Sequence, residues 1–447
     1  MFKIYAGFGR YDITPQEYME MSGFGNDYER ISTIVWDHIF GTCVALRDET
    51  GKTVLLCTSD LLNAYQGVVV DEVRASIHAA TGVPEDHIMC SVIHNHSGPC
   101  PGRGNERTSR FCDFYVKQMT RAAVDAINDL SEATISIASK TGERLTFDRH
   151  YFTNDGNAFG TGLGSIKSGI KCHMDKADEQ IQLIRFQRKE GRDILLTNWQ
   201  AHVTLVGRIR TNTEISADYV GAYRNHLEGS TGCHVAFFQG AAGNLGPESR
   251  IKEELRFESG DYRAYGRLLA ELALEALAEN TKPVQSGPIG IKQILFPAEV
   301  DHSEDHLGPA AEEAIELYLA APDLPHAERV KLMTDRGLDD YLHAASIRNR
   351  YNSEPFIEVE LNAIAIGDIS FVTAPFEMFC SVPMHIKANT PYEMTFFMGY
   401  CNGAFSYLAD KTGFKYNTYE VQSRRFVEGT AEDIGQAHLN MLKELKG

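Results

Sequence analysis

The chain has 447 residues, 43% of them hydrophobic and 23% charged, which is enough apolar surface for one very large domain or two ordinary ones. It carries 61 acidic against 43 basic residues, a net charge of −18, and so opposes nucleic acid and anionic membranes, where binding depends on Lys and Arg neutralising phosphates. No apolar run approaches the ~18 residues of a membrane helix.

The opening "MFKIYAGFGRYDITP" has no basic stretch followed by an apolar one, so it reads as a first strand and not as an export signal. The nine cysteines show no C-x-x-C spacing and read as reduced thiols of a cytoplasmic protein. "KTVLLCTSDLL" (52–62) predicts a strand, and "VVVDEVRASIHAATG" (68–82) a helix ending at Gly82. "HIMCSVI" (87–93) predicts the next strand and 110–130 a long amphipathic helix. Segments 133–139, 179–187, 193–199 and 233–239 are strand-like, and 261–280 is a strong helix. A charged helical stretch spans 309–349, a probable insertion at about 300–350. A hairpin follows at 356–374 and a strand at 394–400. The alternation argues for an α/β fold of mixed β-sheets packed together and flanked by helices, in a single catalytic domain over 1–447.

Polar residues gather at the ends of these strands, where sites in α/β folds assemble. "CSVIHNHSGPCPG" places His94 and His96 one residue apart just past a strand, as a metal site or as a hydrogen-bonded pair at a loop start. His202 in "NWQAHVTLVG", Glu377 in "TAPFEMFC" and Tyr407 in "GYCNGAFSYLAD" occupy similar positions. Two imidazoles and a carboxylate match the ligand set of catalytic zinc sites. Taken singly, His202 also reads as a structural histidine, Glu377 as a cap of the helix after it, and Tyr407 as core. In "QGAAGNLGPES", Gly240, Gly243 and Gly246 have the spacing of a nucleotide loop, but Pro247 follows and no helix opens. "GTGLGSIKSG" (160–169) lacks the Gly-Lys-Ser/Thr of a phosphate loop and reads as a mobile loop.

Taken in order, the motifs resemble the catalytic domain of neutral/alkaline ceramidases. "YAGFGRYDITP" resembles that family's G-x-G-x-x-D-I-T, and "HNHSGP" its H-T-H-S-G-P. "DRHYF", "HMDKADEQIQLIRF" and "AHVTLVG…ISADYVGAY" are similar to three further segments. "FFQGAAGNLGPES" resembles Q-x-x-x-G-D-V-S-P-N, "APFEMFC" resembles P-G-E-x-T-T, and "CNGAFSYL" resembles N-x-Y-x-x-Y. The resemblance implies a zinc amidase with one Zn²⁺ held by His94, His202, Glu377 and Tyr407. It puts His96 beside the substrate, Arg149 in the active site, and Gly243, Asn244 and Gly246 on the substrate loop.

The departures are specific. Gly246 stands where the family has Ser, and Asn244 where it has Asp. "YNTYEVQSRRFVEGT" is longer than the family's segment. The family's appended C-terminal β-sandwich is not expected here. The expected function is zinc-dependent hydrolysis of an N-acyl amide, with His96, Arg149 and Tyr407 as catalytic groups. A zinc esterase or deacetylase on a small polar substrate is the alternative, and a nucleotide-binding or non-catalytic protein using 240–246 the other. The high negative charge favours a small or polar N-acyl substrate over long-chain ceramide. Neither a nucleic-acid partner nor an integral membrane segment is expected.

Overall fold

The computed structural model describes residues 2–24, 30–160, 168–207, 212–321 and 324–447. The expected 160–169 loop lies, from 161 to 167, outside the described residues.

Strand β1 (Ile4–Asp12) sends Ile4, Ala6 and Phe8 to one face and its glycines to the other. β2 (Phe40–Asp48), β3 (Thr53–Ser59), helix α1 (Val73–Thr81) and β4 (Ile88–Val92) follow. Next comes α2 (Glu106–Asn128), which starts four residues before the expected position. Asn105 sets that start: its side chain accepts from the Thr108 N–H while Thr108 reaches back to the Asn105 N–H. Gly7 and Gly9 let α2 lie directly on β1, because a Cβ at either would come 2.0 Å from the carbonyl oxygen of Ala126 or Ala122.

β5 (Ser131–Thr141), β6 (Gln180–Arg188), β7 (Ile194–Trp199), α3 (Asp218–Thr231), β8 (His234–Gln239), α4 (Tyr262–Glu279) and β9 (Lys282–Val284) complete a nine-stranded sheet. Its order is β8-β7-β6-β5-β1-β2-β3-β4, with β9 on the side of β5. Pairs β7–β8 and β3–β4 are parallel and the others antiparallel, as a mixed sheet requires.

A second sheet is built from β10 (Ile289–Glu299), β11 (Phe356–Ile366), β12 (Ile369–Thr373) and β14 (Met394–Met398). β11 and β12 form the expected hairpin. Between β10 and β11 the chain leaves the sheet for α5 (Gly308–Ala320), α6 (His326–Thr334) and α7 (Tyr341–Tyr351). These helices bury Ala311, Ile315, Met333 and Ile347 in a small core of their own. β13 (Glu377–Met378) pairs in parallel with β15 (Tyr407–Leu408). Helices α8 (Ser381–Asn389) and α9 (Thr430–Lys446) lie late in the chain.

Strand alternation makes these parts into four layers. Phe8, Ile184, Phe186 and Phe238 of the large sheet pack against Ile364, Phe371 and Phe396 of the small one. The other face of the large sheet buries Ala45, Leu55 and Cys57 under α2, and Leu195 and Phe237 under α3 and α4. The outer face of the small sheet buries Leu361 and Phe397 under α8 and α9. The fold is α/β, with two packed mixed sheets between helical layers. All nine cysteines are free, and none of the described helices is long and apolar enough to cross a membrane.

Candidate metal centre

Four segments deliver the site, two of them just past a strand and two within the short β13–β15 pair. After β4 the chain turns at His94, which has a left-handed backbone with φ 61°. Such a conformation costs a bulky residue on the order of 1 kcal/mol and persists only when the surroundings hold it. Here the Asn95 N–H donates to Leu61 O at 3.0 Å, its side-chain amide donates to Asp60 O and Ser216 O, and the His94 ring stacks on Tyr400 at 4.2 Å. His202 follows β7, and its N–H donates to Leu245 O in the Gly-rich loop. Glu377 sits in β13 with its N–H on Ser406 O at 3.0 Å. It lies ahead of α8 and does not cap it, which removes the capping interpretation.

The protons on these rings can be assigned from their partners. His94 Nδ1 lies 3.0 Å from Leu62 O and His202 Nδ1 lies 2.9 Å from Leu245 O. A carbonyl only accepts, so each ring carries its proton on Nδ1 and presents a bare lone pair at Nε2. Glu377 Oε2 lies 3.0 Å from His94 Nε2 and 3.3 Å from His202 Nε2. Neither His202 Nε2 nor Glu377 Oε2 makes a hydrogen bond, though both are buried. Burial, with Arg149 nearby, lowers the His202 pKa to about 4, so a proton does not fill this gap at neutral pH. The Glu377 carboxyl, which burial alone would raise, lies well below its ordinary value beside His94 and His202, and it is an anion. Converging lone pairs that no proton reconciles are what a divalent cation satisfies, so the residues fit the metal.

His96 belongs to the same cluster. Its Nε2 is 3.2 Å from His94 Nε2, and the ligand atoms of His94, His96 and His202 lie within 4.8 Å of one another. Burial and the neighbouring imidazoles push its pKa well down, so the ring is neutral. Tyr407 enters through its strand, where it is the register partner of Glu377. Burial and the Glu377 charge raise its phenol, which keeps its proton.

Arg149 reaches the site from the segment after Asp148. Its guanidinium lies 5.3 Å from the Tyr407 ring centroid. Glu420 holds it, accepting from Arg149 Nε at 2.9 Å. The other oxygen of Glu420 accepts from His150 Nε2 at 2.8 Å, and His150 Nδ1 faces Asp148 at 3.1 Å. Burial opposes a charge on His150, but Glu420 and Asp148 override it and raise its pKa to about 9. Burial would raise Glu420 as well, yet Arg149 and His150 bring it down to about 2. Glu420, His150 and Asp148 are not apparent as site residues from the sequence, since no spacing rule connects Arg149 with a carboxylate 271 residues away.

His94, His96, His202, Glu377, Arg149, Tyr407 and Gly246 line one cavity of about 1370 Å³. Gly243 and Asn244 do not line it. They lie behind Glu377: the Gly243 N–H donates to Met378 O at 2.9 Å, and Asn244 Oδ1 accepts from the Cys380 N–H at 2.9 Å. A Cβ on Gly243 would stand 2.4 Å from Glu377 O, so the small residue serves the close approach of two backbones. No α-helix opens after this loop until Tyr262, so the loop lacks the helix that a nucleotide loop requires.

Comparison with solved structures places this architecture. The chain is similar throughout to the crystal structure of neutral ceramidase from Pseudomonas aeruginosa. The match covers 100% of this chain and 75% of that one, at a TM-score of 0.74 and 19% identity. A ceramidase complexed with C2 matches over 100% and 76% of the two chains, with a TM-score of 0.74 and 17% identity. No family model and no curated protein matches the sequence. The chain therefore has the fold of neutral ceramidase, as the ordered motifs led us to expect.

Proposed function

We propose that the chain is a zinc-dependent amidase that hydrolyses an N-acyl substrate, with one ion per chain held by His94, His202, Glu377 and Tyr407. The observation that carries this reading is the pair of buried, unpartnered atoms, His202 Nε2 and Glu377 Oε2, facing His94 on the cavity wall. The likeness to neutral ceramidase and to a second ceramidase supplies the amide chemistry. When bound, the ion supplies Lewis acidity, which brings the pKa of water to ~7 and polarises a carbonyl.

The chain's own groups do the rest. Arg149, fixed by Glu420, presents a permanent cation toward the oxyanion that develops at the carbonyl, and the protonated Tyr407 phenol is a second donor. A donor matched to that position contributes about 3 kcal/mol. His96 moves a proton at Nε2, the ring edge that faces His94, toward the departing amine. No serine is required, so Gly246 is compatible with this chemistry.

The test pairs elemental analysis with a panel of N-acyl and O-acyl substrates. We expect about one zinc per chain in the wild type, none in His94→Ala/His202→Ala, and amide cleavage only by the loaded protein. Stoichiometric zinc in the double variant would sink the ligand assignment. Cleavage of esters alone would replace the amidase with an esterase.

A further inference from the structure

The cavity that the metal cluster lines also holds a cation without a counter-ion, on the segment near the C-terminal end of its lining. Arg425 lines the cavity and is half-buried, with its guanidinium 5.4 Å from the Phe405 ring centroid. Among the described residues its side chain makes one hydrogen bond, from Nη2 to Ser353 Oγ at 3.2 Å, and its buried Nε has no partner. Among the described residues no carboxylate lies within ion-pair distance of it. Burial accordingly depresses its pKa with nothing to oppose the effect.

The neighbouring charges differ. Arg424 is paired with Asp301 and Glu304, and Arg149 with Glu420. The acids on the same wall are engaged by the fold: Asp340 accepts from the His343 N–H at the start of α7, Asp339 lies 3.4 Å from His343, and Glu248 accepts from the Gly260 N–H. Among the described residues Arg425 is thus a partly buried charge left without a counter-ion in the cavity, whereas Arg250, also on the lining and without an ion pair, is exposed and lies over the Phe159 ring. Arg425 is also close to the chemistry. Phe405, under its guanidinium, is followed by Ser406, whose carbonyl accepts from the Glu377 N–H at 3.0 Å.

The described lining is mixed in character. Among its described residues the large aliphatic side chains are Leu62 and Leu342, beside aromatic rings such as Phe24, Phe405 and Tyr419.

We infer that the substrate is an N-acyl amine bearing an oxyanionic group, a carboxylate or a phosphate, which Arg425 receives within the cavity that the metal cluster lines. This rests on the amidase reading above. A guanidinium offers a planar fork of donors to either anion, and charge-assisted bonds of that kind are about twice as strong as neutral ones.

The experiment uses the zinc-loaded protein and three substrates with a common acyl group: an N-acyl amino acid, its neutral carboxamide, and an N-acyl phosphoethanolamine. We expect kcat/KM at least tenfold higher for one of the two anions than for the neutral amide, and their ranking tells carboxylate from phosphate. In Arg425→Met the anionic-to-neutral ratio falls about 30-fold, mainly through KM, and Arg425→Lys recovers part of it. The ratio cancels any general loss of folded protein. An unchanged ratio in Arg425→Met, or a wild type that prefers the neutral amide or a ceramide, overturns the inference while leaving the amidase standing. Calorimetric binding of the N-acyl amino acid and the phosphorylated amide needs no turnover. Failure of both to bind the wild type overturns the inference on its own, whereas binding without cleavage of any amide refutes the amidase reading instead.

Discussion

His96 shows how much one residue's role depends on a neighbour's proton. His94 and His202 have their tautomers set by Leu62 and Leu245 carbonyls, so each presents a lone pair to Glu377. His96 has no such anchor, since its Nδ1 is buried without a partner. A ring that carries its proton on Nε2 toward the cluster, with no carbonyl holding its Nδ1, suits proton transfer better than permanent ligation. We therefore expect His96→Ala to retain about one zinc per chain and to lose activity by 100-fold or more. Metal analysis and kcat measured on the same preparation decide the matter. Loss of the zinc would make His96 a ligand. The residue types at 94, 96, 202 and 377 were legible in the sequence because each stands just after an apolar run. Arg425 and Glu420 were not legible, because an arginine or glutamate in a polar segment has no feature that distinguishes a solvated charge from a buried one.

At the scale of elements, the site depends on how closely the loop 239–249 lies against β13. Gly243 approaches the backbone of Glu377 and Met378, and Asn244 ties down Cys380, so the loop fixes the carboxylate from behind. In Gly243→Ala the new Cβ would meet Glu377 O at 2.4 Å and Met378 O at 2.7 Å, so β13 must move. Displacing the support of a ligand typically costs 10–100-fold in metal affinity. We expect zinc competition with a chelator to show a loss of at least tenfold in this variant. Wild-type affinity would mean that the loop does not position Glu377. The glycine spacing was visible in the sequence and resembled a nucleotide loop. Only the tertiary structure shows that it serves a backbone contact, because the segment it touches lies more than 100 residues away. The helices were the most legible elements, since their apolar spacing is local, and the start of α2 was displaced only by the Asn105 cap.

At the scale of the molecule, Glu420 joins the C-terminal segment to Arg149 and His150, and this network makes stability depend on pH. The folded-state pKa of His150 is about 9, against about 6.5 unfolded. Its contribution is therefore fully present below about pH 6.5 and is lost as the pH rises through 9. Glu420, at about 2, contributes above the ordinary carboxylate value, and that contribution is lost as the pH falls toward 2. The stability advantage of wild type over Glu420→Gln should be greatest between about pH 5 and 6.5 and should shrink toward pH 9. Thermal melts of both proteins at each pH measure it, and a difference that stays constant from pH 5 to 9 would refute the network's role.

The sequence by itself determined the class of fold and the stock of ligand-type side chains. Period-2 and period-3.6 apolar patterns are local consequences of strand and helix geometry, and strand ends are where polar residues are exposed to one another. The tertiary structure decided which of those side chains converge, where their protons sit, and which charges remain without partners. Those facts depend on distances between segments hundreds of residues apart and on burial, which weakens every solvated charge and strengthens every enclosed pair.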